Sequence, residues 1–232
     1  LHKEYRRQRQ MCIRDSIWAA FAATLIVGTG SSIAGGAGAY FYTYVLGDMK
    51  LMSGVSVIGL IASLVGIVMG PYLANRFGKK KVYLTAVIIS TALNLLRLLD
   101  VTSMILIYIS ALIGGVAGGW MVPVNTSIQA DNTTYVQYKT GKRAEAAIAS
   151  LTSFVSKVAQ GLGGAIPGYV IAAYGFVTGA SVQPESINTG IILCALILPL
   201  IFGILGLLIF GTQYTLDQKA VIEMDAKINR NN

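Results

Sequence analysis

The sequence predicts an all-α integral membrane protein built from six transmembrane helices. Hydrophobic residues fill 54% of the 232 positions and charged residues 12%, against about 25% charge in an ordinary soluble domain. Apolar runs close to the roughly 20 residues that cross a bilayer succeed one another along the chain. The charges fall between those runs, so the net charge of +8 is explained by the positive-inside rule rather than by a nucleic-acid partner. Cys12 and Cys194 supply neither a disulfide framework nor a metal-ligand spacing.

Residues 1–16, LHKEYRRQRQMCIRDS, stand apart as a basic leader without the apolar stretch of a secretory signal. The run RRQRQMCIRDS resembles, residue for residue, a translated transposase sequencing adapter. The leader is therefore expected to be non-native and structureless, with the true N-terminus elsewhere. Setting it aside removes the only histidine and Cys12 and leaves 13 Lys/Arg against 8 Asp/Glu, a net charge of +5.

The transmembrane domain is expected over 17–212, with spans at 17–46, 51–74, 82–97, 104–128, 144–174 and 189–212. The first begins abruptly at Ile17 and stops at the turn-rich 47–50. Asn75 to Lys81 closes the second with a basic loop. The third is short and should extend through Leu99, before 100–103. Polar residues 129–143 form the loop after the fourth, and 175–188 the loop after the fifth. The tail, 213–232, is polar and of mixed charge, and should be solvated and partly helical. Arg76, Lys79, Lys80, Lys81, Lys139, Lys142, Arg143, Lys219, Lys227 and Arg230 lie on one side, against only Lys50 and Arg97 on the other. That asymmetry places both ends of the domain in the cytoplasm. Arg97 and Asn94 are expected to anchor the third span at the outer interface, and Cys194 to be a small core residue.

No aqueous domain remains to house a soluble active site, and no Ser-His-Asp set is available once His2 is set aside. The expected class is therefore a non-enzyme without a cofactor. The glycosylation patterns at Asn125 and Asn132 fall in a span and on the cytoplasmic side, so both are accidental.

The informative residue is Lys157, about 21 Å along a helix from Arg143 and seventeen residues short of Tyr174. Neither surface is within reach of snorkelling, and an ammonium at mid-bilayer costs about 2.5–3.5 kcal/mol on insertion scales. It must face a protein interior or a wet cavity. Ser150, Ser153, Lys157, Gln160 and Gly164 recur at spacings of three and four, so they share one helical face. The competing reading is a packing seam of small residues, with Gly164 and Gly168 as a close-approach pair; it leaves the ammonium unexplained. Pro71, Pro123, Pro167 and Pro199, with Gly114, Gly115, Gly118 and Gly119, suggest bendable helices around a solute path.

The stretch ADNTTYVQYKTGKRAEAAIASLTSFVSKVAQGLGGAIPGYVIAAYGF resembles the signature of the glycoside–pentoside–hexuronide:cation symporters, the melibiose permease group of the major facilitator superfamily. The matching positions are Ala130, Asp131, Tyr135, Tyr138, Lys139, Thr140, Gly141, Arg143 and Glu145, then Gln160 and Gly163-Gly164-Ala165. Thr134, Val136 and Gln137 depart from it, which thins the cytoplasmic charge network. Val122 stands where melibiose permease carries a sugar-contacting tryptophan, and Trp120 lies about 200° round the helix from it.

The resemblance implies the C-terminal half of a twelve-helix transporter that works by alternating access in the bacterial inner membrane. It implies a sugar or glycoside solute met by Lys157, Ser153, Thr152 and Gln160. It also implies a coupling cation (Na+, H+ or Li+) held mainly by the N-terminal six-helix half of the same protein. Asp131, Tyr135, Lys139, Arg143 and Glu145 would form a cytoplasmic gate; the bland reading is that Asp131, Lys139 and Arg143 only cap helices and set topology. Arg76 and Lys79 to Lys81 are read first as topology determinants. Two other readings are a self-contained six-helix scaffold or half-size carrier, and a major facilitator transporter of a non-sugar solute.

Overall fold

The computed structural model describes residues 2–141, 144–180, 182–216 and 218–230, with side chains over 16–141, 144–180, 182–216 and 220–228. Among these residues every regular element is helical. α1 (His2–Tyr40) ends in a π-helical turn at Phe41–Val45, and α2 (Lys50–Phe77), α3 (Lys79–Leu99), α4 (Met104–Thr140) and α5 (Glu145–Ala173) follow. α6 (Ser186–Ile192) passes through a second π turn, Leu193–Ile197, into α7 (Leu198–Gln213), and α8 (Gln218–Arg230) comes last.

The expected spans are therefore six helical rods, α6 and α7 forming one. All but α5 are long and apolar enough to cross a membrane. α5 matches them in length, but its serines, Lys157, Gln160 and glycines dilute its apolar character.

The packing has an internal two-fold pattern. α1 packs on α5 and α7, just as α4 packs on α2 and α3. Exchanging the first three rods with the last three thus maps one set of contacts onto the other, the arrangement of a three-plus-three repeat. Both lengthwise pairs are seamed by small residues. Between α2 and α4, a methyl on Gly119 would collide with the Ser63 carbonyl, and one on Gly66 with the Val116 carbonyl. Between α1 and α5, one on Gly163 would collide with Ser32, and Gly36 lies against Pro167. Lipid offers little hydrophobic drive between helices, so backbone approach and dispersion contacts hold such pairs together.

Four expectations change here. Gly115 and Gly119 are packing surfaces in an unbroken α4 rather than hinges. The seam of α5 runs through Gly163, while a methyl on Gly164 or Gly168 would meet nothing. Residues 129–140, expected as loop, continue α4, because no Gly or Pro interrupts them before Gly141, which takes the left-handed φ of 69°. Lastly, the leader is not structureless: its backbone is helical from His2 and continuous with α1. Its Glu, Lys, Arg, Gln and Met are good helix formers, and no Gly or Pro stops the helix propagating back from Ile17. Ser16 is fully buried, its hydroxyl donating to the Gln213 carbonyl (3.1 Å) and accepting from the Thr215 amide (2.9 Å).

The core has two main parts. At the lysine-rich end Tyr83, Phe210 and Tyr214 stack, with ring centroids 4.1 and 4.4 Å apart. Burial, and then the charge of Asp131, raises the pKa of the Tyr214 phenol, so it stays neutral. At the opposite end Phe41, Ile107, Ile171, Ile187, Cys194 and Leu196 cluster, and Cys194 is the buried core residue expected. α8 is docked rather than solvated: Val221 and Met224 pack on the first cluster, and Lys227 lies over the Tyr138 ring at 6.0 Å. The outer face of α2, with Leu60, Ile61, Leu64 and Val68 exposed, is the apolar surface a bilayer covers.

Candidate functional site

α5 sorts its residues by angle. Ile148, Val155, Ala159, Gly163, Pro167 and Ile171 are buried, and this stripe meets α1. Opposite the first part of that stripe, Ile148 to Ala159, the residues Ser150, Ser153, Lys157, Gln160 and Gly164 are all exposed. At about 100° of turn per residue these five fall within about 60° of Lys157. The next sector, about 60–140° on, carries Phe154, Leu162 and Tyr169, all exposed. The outer surface of α5 is thus split into a polar strip without a large apolar side chain and an apolar strip suited to lipid.

Lys157 Nζ donates to Gln160 Oε1 at 3.3 Å, a long bond between neighbours on one helix, and it has no acidic partner among the described residues. An ammonium left this way in hydrocarbon carries the full mid-bilayer penalty. The arrangement is tolerable where water or another protein surface meets the strip. Thr152 departs from the expected set. It lies about 140° round from Lys157, half-buried, and its hydroxyl donates to the Ile148 carbonyl at 2.8 Å.

On α4 Val122 is exposed, while Trp120 is half-buried beside Gly70 of α2, its indole nitrogen buried without a partner. Trp120 therefore lies on a different face from Val122.

The second candidate set sits at the lysine-rich end. Gly78 ends α2 and opens α3 with φ 88°, and this sharp turn points the following lysines into the bundle. Lys79 Nζ lies 2.7 Å from both carboxylate oxygens of Asp131, which is 8% exposed. Lys80 Nζ donates to the Gly211 carbonyl (2.9 Å) and the Tyr214 carbonyl (2.6 Å), capping the end of α7. A cavity of about 280 Å³ opens between these lysines, Asp131 and Tyr214.

Of the residues expected to form a loop gate, Asp131, Tyr135 and Lys139 are on α4 and Glu145 is in the first turn of α5, where a carboxylate favours the helix N-terminus. Asp131 and Tyr135 are buried, whereas Lys139 and Glu145 are exposed; Arg143 lies outside the described residues. Lys79 is read from the sequence first as a topology determinant, ahead of a site role. Its partner lies 52 residues away, a separation at which sequence pattern alone pairs no two side chains. Arg97 and Asn94, expected as interface anchors, line an open cavity near the end of α3.

The profile of the family described as MFS/sugar transport protein matches residues 3–218. The chain belongs to this family. Among curated proteins, the glucuronide carrier protein homolog of Escherichia coli is 31% identical over 84% of this chain and 44% of its own length. Symporter YjmB of Bacillus subtilis is 32% identical over 80% and 41%, and the isoprimeverose transporter of Lactiplantibacillus pentosus 28% over 64% and 31%. The chain spans less than half the length of these relatives. The resemblance read from ADNTTYVQYKTGKRAE holds at the level of the family, and the MFS chain is a multi-pass membrane protein whose six rods correspond to one half of a twelve-helix transporter.

Proposed function

We propose that the chain is the C-terminal half of a secondary active sugar:cation symporter that works by alternating access. One observation carries the reading: the exposed polar strip of α5, centred on an unneutralised Lys157, faces away from its own bundle. In a twelve-helix transporter a surface of that kind belongs against the central cavity, where the two halves meet. Lys157, Ser153 and Gln160 would then donate to solute hydroxyls or, in a hexuronide, to its carboxylate. The names of two relatives, an isoprimeverose transporter and a glucuronide carrier protein homolog, support a sugar or glycoside as the solute.

Asp131 and Lys79 tie α4 to α3 at the end assigned to the cytoplasm, so their pair is placed to hold that end of the half rigid while the halves rock. Among the described residues Asp131 is the only carboxylate inside a membrane-crossing helix away from its ends, and it is already neutralised. The coupling cation is therefore assigned to the other half.

The test is accumulation of labelled glucuronide and pentoside by bacteria expressing the complete gene. Uptake that collapses with the sodium or proton gradient is expected. Absence of uptake across a glycoside panel, or uptake indifferent to both gradients, would contradict the proposal.

A further inference from the structure

At the end of the bundle opposite the lysine-rich one, the π turn that ends α1 and helices α2, α3 and α4 line an open cavity of about 230 Å³. Its polar lining is Tyr42, Ser90, Asn94, Arg97 and Ser110, without a carboxylate, and α5 takes no part in it. Arg97 lies over the Phe41 ring at 5.1 Å, its buried Nε has no hydrogen-bond partner, and it makes no ion pair among the described residues. Asn94 spends an amide N–H on the Ser90 carbonyl at 3.1 Å. The hydroxyls of Tyr42, Ser90 and Ser110 are not engaged by any described side chain or carbonyl.

Arginine keeps its charge at any physiological pH. A half-buried guanidinium without an acid, ringed by free hydroxyl donors, is a donor set waiting for an acceptor. Its fork matches the oxygens of an oxyanion, and hydrogen bonds to a charged group are the strong ones.

We propose that this cavity is an oxyanion site, taking a phosphate or sulfate group through Arg97 with Ser90, Ser110 and Tyr42 as further donors. It is separate from the Lys157 strip and does not depend on what the transporter carries. The group could be supplied by free anion or by the headgroup of an anionic lipid, since the cavity lies near one end of the spans.

The experiment follows thermal unfolding of the full chain in nonionic detergent. One arm titrates sulfate, phosphate and chloride at matched ionic strength. The other titrates short-chain phosphatidylglycerol against diacylglycerol, which lacks the phosphate. Sulfate stabilises proteins generally by exclusion, so a shift counts only where it saturates and depends on the site. A saturable rise in midpoint with the free oxyanions assigns the site to solution anions; a rise with phosphatidylglycerol alone assigns it to lipid. In Arg97→Gln the apparent affinity should fall about tenfold or more, the scale of one charged hydrogen bond. Ser110→Val narrows the cavity without touching the charge, and serves if Arg97→Gln does not fold. Absence of a saturable shift in both arms, or an undiminished shift in the variants, overturns the proposal.

Discussion

Lys157→Ala in the complete transporter is expected to cut solute accumulation about 10–100-fold, the loss of a charged donor to a bound solute, while the protein reaches the membrane at its normal level. The structure separates these two effects. The Lys157 ammonium is exposed and makes one long bond to Gln160 within its own helix, so its removal breaks little of the fold. What it takes away is the only cation on the polar strip of α5. Lys157→Arg should retain part of the uptake, because the charge survives in a differently shaped donor. Uptake assays with immunoblotting of the membrane fraction read both quantities. Normal accumulation by Lys157→Ala would remove the lysine from the solute path.

The second large effect is expected at the Lys79–Asp131 pair, and it falls on stability. The carboxylate accepts two hydrogen bonds from one ammonium, and the two side chains are only 18% and 11% exposed. Removing either partner leaves the other poorly solvated, a loss of about 3 kcal/mol. Asp131→Ala and Lys79→Ala should each lower the unfolding midpoint markedly, and the double variant should lose less than the sum. A double-mutant cycle in detergent is expected to return a coupling of about 1–3 kcal/mol, and exchanging the charges should recover part of it. A coupling near zero would show that the adjoining cavity solvates both groups and that the pair holds nothing together.

Much of this was legible in the sequence. Six apolar runs became six rods because lipid demands internally satisfied backbone, and helices supply it. The Lys157 strip was legible because helical periodicity alone fixes which residues share a face. Other features depend on tertiary placement. Thr152 precedes Ser153 by one residue, yet that step of about 100° carries it off the exposed strip to a half-buried position. Lys79 and Arg97 were both read as residues of the membrane boundary, because a sequence shows a charge near the end of a span and not its direction. Gly78 turns the first into contact with Asp131, and Tyr42, Val55 and Ile107 from three other elements line a cavity with the second. The α4 extension was missed for a related reason: residues 129–140 are polar enough to read as loop, but Ile128, Asn132 and Tyr135 bury one face of a continuing helix.

The central claim is that the Ser153–Lys157–Gln160 strip meets water and solute, while the neighbouring Phe154–Leu162–Tyr169 strip meets lipid. Single cysteines along α5, in the complete transporter with Cys194 and any other native cysteine replaced, test it most directly through labelling by a charged maleimide in intact membranes. Cysteines at 153, 160 and 164 are expected to label, and to be protected by a transported glycoside, while those at 154, 162 and 169 stay unreactive. Labelling of the apolar strip with a silent polar strip, or equal labelling of both, would contradict the account.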